Sequence, residues 1–143
     1  MGILGKIFGH KKPDYPPLES QSAIAEQLKS VESELRGLVE TIEDDIEIVP
    51  APDETYVLFG KLPAAFDLAW IRDGQVRNLS KVVEEQKVPP HRAQALAELI
   101  RSAYERSQND ERYSTQLAGR TVVVTPSDGL RQKVHEIVGK LAA

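Results

Sequence analysis

The first sustained pattern along the chain is a stripe in which Ile24, Leu28, Val31, Leu35, Leu38 and Ile42 fall alternately four and three residues apart. Residues at that spacing share one face of a helix, so Ser20 to Ile42 is predicted helical, with Glu26, Glu32, Glu34, Glu40 and Glu43 on the other side. The spacing also fits a coiled-coil seam over about three heptads, near the shortest that holds together. Gly37 within it weakens the helix by roughly 1 kcal/mol relative to alanine. A helix lying on a sheet is therefore favoured, and a homodimer through this first helix is the alternative.

The period then changes from helical to alternating. Ile46-Glu47-Ile48-Val49 reads as a strand ended by Pro50-Ala51-Pro52-Asp53. Tyr56 to Leu62 is apolar on both faces, which predicts a strand covered on both sides. Phe66, Leu68 and Trp70 alternate with Asp67 and Ala69, so these three point one way, into the core. Asp73-Gly74 has the residues of a type I′ hairpin turn, and Gln75 to about Leu79 is the returning strand.

Helical signals return with Ser80 to Lys87, closed by Pro89-Pro90, which also open a helix running to about Gln108. The polar stretch Asn109 to Gln116 reads as a connection. The β-branched run Thr121 to Val124 reads as a buried strand, and Thr125-Pro126-Ser127-Asp128 starts a last helix with Leu130, Val134, Ile137, Val138 and Leu141 inward. Segregated strands and helices predict an α+β fold: an N-terminal amphipathic helix, an antiparallel sheet of about four to five strands, and C-terminal helices packed on the sheet. Predicted core residues are Leu58, Phe66, Leu68, Trp70, Leu96, Ile100, Val123, Val134 and Ile137.

The front of the chain follows neither period. Three prolines in Pro13-Asp14-Tyr15-Pro16-Pro17 favour an extended linker, so residues 1–17 read as a tail and residues 18–143 as one α+β domain. Wound as a helix, Ile3, Leu4, Ile7 and Phe8 form an apolar patch bordered by Lys6, His10, Lys11 and Lys12. That is the pattern of a segment that enters a groove on another protein or lies on a membrane surface, and it has the same means of covering its own domain. Myristoylation calls for Ser or Thr where the chain has Lys6. No apolar run approaches the roughly 20 residues of a membrane span, and Gly2 to Gly9 lacks the centre and cleavage site of a secretory signal. A cytoplasmic protein is expected, peripheral at a membrane if the tail binds lipid.

Charge sharpens this picture. Residues 18–54 hold eleven acids against Lys29 and Arg36, whereas the segments before and after are net positive. An acidic block of that density repels a phosphate backbone, which disfavours nucleic acid and favours a protein partner.

Candidate chemistry is sparse. The chain has no cysteine, which removes disulfides, thiolate metal sites and thiol nucleophiles. His10, His91 and His135 lie too far apart in sequence to suggest a metal site. Ser127, Asp128 and His135 have the residue types of a hydrolytic triad, but eight helical residues put Ser127 and His135 roughly 12 Å apart. No phosphate loop, nucleophile elbow or dinucleotide fingerprint occurs, and no cofactor is expected. One weaker candidate is an anion site in the turn Thr125 to Gly129, formed by Ser127, Asp128, Gly129 and Arg131 at the helix start. Plain capping explains those residues better, because Asp128 is itself an anion and Arg131 is placed to pair with it. A non-catalytic interaction module docking through Ile3, Leu4, Ile7 and Phe8 is thus the leading expectation. A small-ligand or enzymatic domain with its site at Thr125 to Gly129 is the alternative. A closed apolar interior would favour the first, and a pocket converging on Asp67, Asp128 or Arg131 the second.

Overall fold

The computed structural model describes residues 15–19, 21–61 and 65–142. Its elements in chain order are α1 (Ala23–Ser30), α2 (Glu32–Thr41), β1 (Asp45–Pro50), β2 (Thr55–Lys61), β3 (Ala65–Arg72), β4 (Gln75–Asn78), α3 (Leu79–Glu85), α4 (Pro90–Arg106), β5 (Tyr113–Leu117), β6 (Arg120–Val124) and α5 (Asp128–Ala142). The α+β class is as the sequence predicts. The sheet has six strands rather than four to five, in the order β4-β3-β2-β1-β6-β5, and it is mixed rather than antiparallel, because β1 and β6 pair in parallel.

Both faces of this sheet are covered, and strand alternation assigns each residue to one of them. On one face Tyr56, Leu58, Leu68 and Trp70 meet Val82 of α3, Ile100 of α4 and Val134, Ile137 and Leu141 of α5. On the other, Ile46, Ile48, Val57, Ile71, Val122 and Val124 meet Leu28 of α1 and Leu35 and Val39 of α2. The stripe predicted from Ile24 to Ile42 thus lies on the chain's own sheet. Its helix is broken at Val31, which leaves helical geometry at φ −122 and ψ 21, and not at Gly37. Ser30 just before the break turns its hydroxyl back to the Gln27 carbonyl at 2.6 Å, a bond that competes with helix continuation.

Asp73 and Gly74 have positive φ, and the β3–β4 hairpin closes on them as predicted. The strand missing from the sequence reading is β5, which lies in the polar stretch after α4. It pairs with β6 through a second two-residue turn, Ala118-Gly119, also at positive φ. Along the outer edge of β5, Ser114 donates its N–H to the Pro16 carbonyl at 2.9 Å and accepts from Leu18 N–H at 2.8 Å. Residues 15–17, which read as linker, therefore lie against the sheet.

Arg120, at the start of β6, fans its guanidinium over the end of α2. It donates to the carbonyls of Val39 at 3.2 Å and Asp44 at 2.8 Å, and also to that of Ile42. The Val39 and Ile42 carbonyls are ones that a helix terminus leaves without intrahelical partners, and that of Asp44 lies in the connection to β1, so one arginine both caps α2 and ties it to the sheet.

Candidate functional site

The tail residues Ile3, Leu4, Ile7 and Phe8 and the histidine His10 lie outside the described residues. The turn Thr125 to Gly129 is within them. Thr125 prolongs the parallel β1–β6 pairing, its N–H reaching the Ile48 carbonyl at 2.8 Å. Ser127 is the cap of α5: its Oγ accepts from Leu130 N–H at 3.3 Å and donates to Asp110 Oδ2 at 2.5 Å. Asp128 does not fold back over the helix end. It is 93% exposed and sits 3.6 Å from Arg131. Capping with a local ion pair accounts for all of these residues, as expected for a helix start.

A cavity of about 190 Å³ does lie beside the turn, lined by Arg106, Ser107, Asp110, Ser127, Gly129 and Lys133 among others. It converges on none of Asp67, Asp128 and Arg131. Two cations flank it, but the Asp110 carboxylate is already the acceptor for Ser127, so an entering anion meets a fixed negative charge. Asp67 is occupied elsewhere: it accepts from Leu68 N–H at 2.8 Å, from Asn78 at 3.2 Å and from Ser80 Oγ at 2.8 Å, joining β3 to the start of α3.

The densest polar chemistry lies under α4, at residues that no motif or spacing singles out. Glu47 of β1 is 3% exposed, and its carboxylate accepts from Tyr104 OH at 2.9 Å, Arg112 Nε at 3.0 Å and Thr125 Oγ1 at 2.6 Å. Arg112 also donates Nη1 to the Ser107 carbonyl at 2.7 Å and Nη2 to Ser107 Oγ at 2.9 Å, and lies 5.5 Å from the centre of the Tyr104 ring. A strand whose two neighbours and two faces are all covered forces any polar residue on it to find partners inside, and Glu47 has three. The cluster clamps β1, β6, α4 and the approach to β5 together. Each donor in it points at a protein acceptor, so its chemistry is spent on cohesion.

A smaller cluster closes the far side of the same face. Tyr56 donates its hydroxyl to the buried Glu54 Oε1 at 2.6 Å, and His135 Nδ1 lies 2.8 Å from the same phenolic oxygen. With the tyrosine proton committed to Glu54, the second contact is completed by the His135 Nδ1–H donating to that oxygen. His135 is thus turned to Glu54 and Tyr56, while Ser127 pairs with Asp110, so the triad residue types are not brought together.

Both clusters contain a tyrosine that ionises reluctantly. Burial first, and then the hydrogen bond to Glu54, raise Tyr56 well above the ordinary value of 10.0. Burial, followed by the Glu47 charge and hydrogen bond, does the same to Tyr104. An unfolded chain releases both protons above about pH 10 while the fold retains them, so stability is intact below that pH and declines as pH rises past it. The expected result is a thermal midpoint that is flat near about pH 8 to 9 and falls steeply beyond about pH 10. The fall is shallower in Tyr56→Phe and Tyr104→Phe; equal slopes in all three proteins would contradict the assignment.

Among the described residues, every buried side-chain nitrogen and oxygen has a hydrogen-bond partner, and no three His, Asp or Glu side chains are grouped to hold a metal ion. No helix among them is long and apolar enough to cross a membrane. Comparison with family models, curated proteins and solved structures finds no match, so the functional reading rests on the chain itself.

Proposed function

We propose that this chain is a non-catalytic interaction module of the cytoplasm, an adaptor, assembly factor or accessory subunit, that docks on a partner protein through Ile3, Leu4, Ile7 and Phe8. The observation that carries the reading is the closure of the domain. The polar side chains that chemistry would need are each engaged in holding elements together: Glu47, Glu54, Asp67, Arg112 and Ser127. The basic-apolar segment, by contrast, stands ahead of the point where Pro16 and Leu18 fasten the chain to β5. A segment that follows no secondary-structure period of the domain and carries four large apolar side chains is suited to entering a groove on another molecule, where each of them contributes roughly 1.5–3 kcal/mol if fully buried, less the cost of ordering it.

Changing Ile7 and Phe8 together to serine is expected to abolish capture of the partner from native lysate by the full-length chain and to leave its thermal midpoint nearly unchanged. Retained capture would overturn the reading, and so would a large fall in midpoint, which would place the segment in the domain core. Binding to anionic vesicles that is lost in the same variant would reassign the segment to a membrane surface.

A further inference from the structure

Among the described residues, the edge of the sheet at β5 is only partly covered. Pro16 to Leu18 lie along it as a short parallel strand and make two backbone bonds, both to Ser114. Backbone groups alternate sides along a strand, so Gln116, two residues on, turns its N–H and C=O to the same edge. There no backbone group among the described residues outside β6 pairs with it, and Glu19 accepts from Ser22 N–H ahead of α1. Beside Gln116 the sheet edge and the first helices enclose a cleft of about 300 Å³. Leu18, Ala25, Leu28 and Leu117 supply its apolar lining.

Charge decides what fits. The only two bases between residues 18 and 54, Lys29 and Arg36, both line this cleft, with Glu32 as the one acid beside them, so the lining is net positive in a stretch that carries eleven acids. Arg36 is shared with the exposed Glu32 at 3.0 Å, whereas Lys29 has no ion pair among the described residues. An occupant carrying lysines, as the chain's own tail does at Lys6, Lys11 and Lys12, meets like charge here.

We propose that the cleft between α1 and β5 receives an extended, apolar peptide segment of a partner protein, bearing an acidic residue and added as a strand beside Gln116. Backbone bonds to Gln116 hold the segment in register, its alternate apolar side chains enter between Leu28 and Leu117, and its carboxylate meets Lys29 and Arg36. The residues assigned here are other than Ile3, Leu4, Ile7 and Phe8, so the two docking assignments are tested by different variants.

The test is selection of a phage-displayed library of random dodecapeptides on the full-length chain, followed by titration of the most enriched peptide into isotope-labelled protein. Enriched sequences are expected to alternate apolar residues around an Asp or Glu and to shift the amide signals of Leu28, Lys29, Gln116 and Leu117, with slower hydrogen exchange at Gln116. Lys29→Glu, alone or with Arg36→Glu, is expected to weaken binding roughly tenfold or more while the exposed positions leave the fold intact. The Ile7→Ser, Phe8→Ser variant is expected to bind the peptide as the parent chain does. Enrichment of basic or charge-indifferent sequences, no enrichment, or shifts away from the cleft would overturn the proposal. Tighter binding at the same amides by a synthetic peptide of residues 1–14 would overturn it too, by assigning the cleft to the chain's own tail.

Discussion

Replacing Trp70 by alanine is expected to destabilise the domain by about 3–5 kcal/mol, a large part of the roughly 5–15 kcal/mol available to a domain of this size. Trp70 is 2% exposed and is among the largest fully buried side chains. It stands on β3 directly opposite Tyr56 of β2 and Arg77 of β4, within the cluster that also takes in residues of α3, α4 and α5. Truncation removes the ring and leaves a space that strands fixed on both sides by hydrogen bonds close only in part. Trp70→Phe retains most of the volume and is expected to cost about 1–2 kcal/mol. Urea unfolding followed by circular dichroism measures both, because Trp70 is the chain's single tryptophan and its own fluorescence is lost with it. An alanine variant as stable as the parent would mean that the face of the sheet under α3, α4 and α5 does not depend on this contact.

Trp70 was legible in the sequence because alternation with Asp67 and Ala69 is a local signal, and the same holds for the Ile24 to Ile42 stripe and the Asp73-Gly74 turn. Strand β5 was not legible, for two physical reasons. Its residues Tyr113 to Leu117 form an edge strand that is only partly buried, so selection for apolar alternation is weak there. Its turn uses Ala118 at φ 49, where an L side chain with a Cβ is disfavoured, in place of the Asn or Asp that usually precedes the glycine of such a turn. The parallel β1–β6 pairing was hidden for another reason: strand direction depends on the long excursion through β2, β3, β4, α3, α4 and β5, and no residue of β6 records it. At the candidate site, Ser127 and Arg131 were read correctly as a cap and a partner for Asp128. Asp110, which holds the Ser127 hydroxyl, lies 17 residues away and is joined to it by the fold alone.

The Glu47–Arg112 pair is the extreme case of that limit, being 65 residues apart in sequence and nearly inaccessible at both ends. Its removal gives the second large expected effect. Arg112→Met leaves the Glu47 carboxylate buried with only the Tyr104 and Thr125 hydroxyls to satisfy it, and takes one donor each from the Ser107 carbonyl and hydroxyl, which keep Asp110 N–H and the Tyr104 carbonyl as partners. Breaking one side of a buried pair costs about 3–5 kcal/mol, because the remaining charge has no solvent to return to. Glu47→Leu leaves the guanidinium in the same position and is expected to cost a similar amount. The double variant removes both charges and replaces them with apolar volume, so it is expected to cost well under the sum of the two, by a coupling of at least about 2 kcal/mol. Full recovery is not expected, since Tyr104 and Thr125 lose their shared acceptor in the double variant. Urea midpoints of the four proteins at constant m-value supply the cycle. Single variants that each cost under about 1 kcal/mol, or costs that simply add, would mean that the pair is hydrated and does not clamp β1 to the approach to β5.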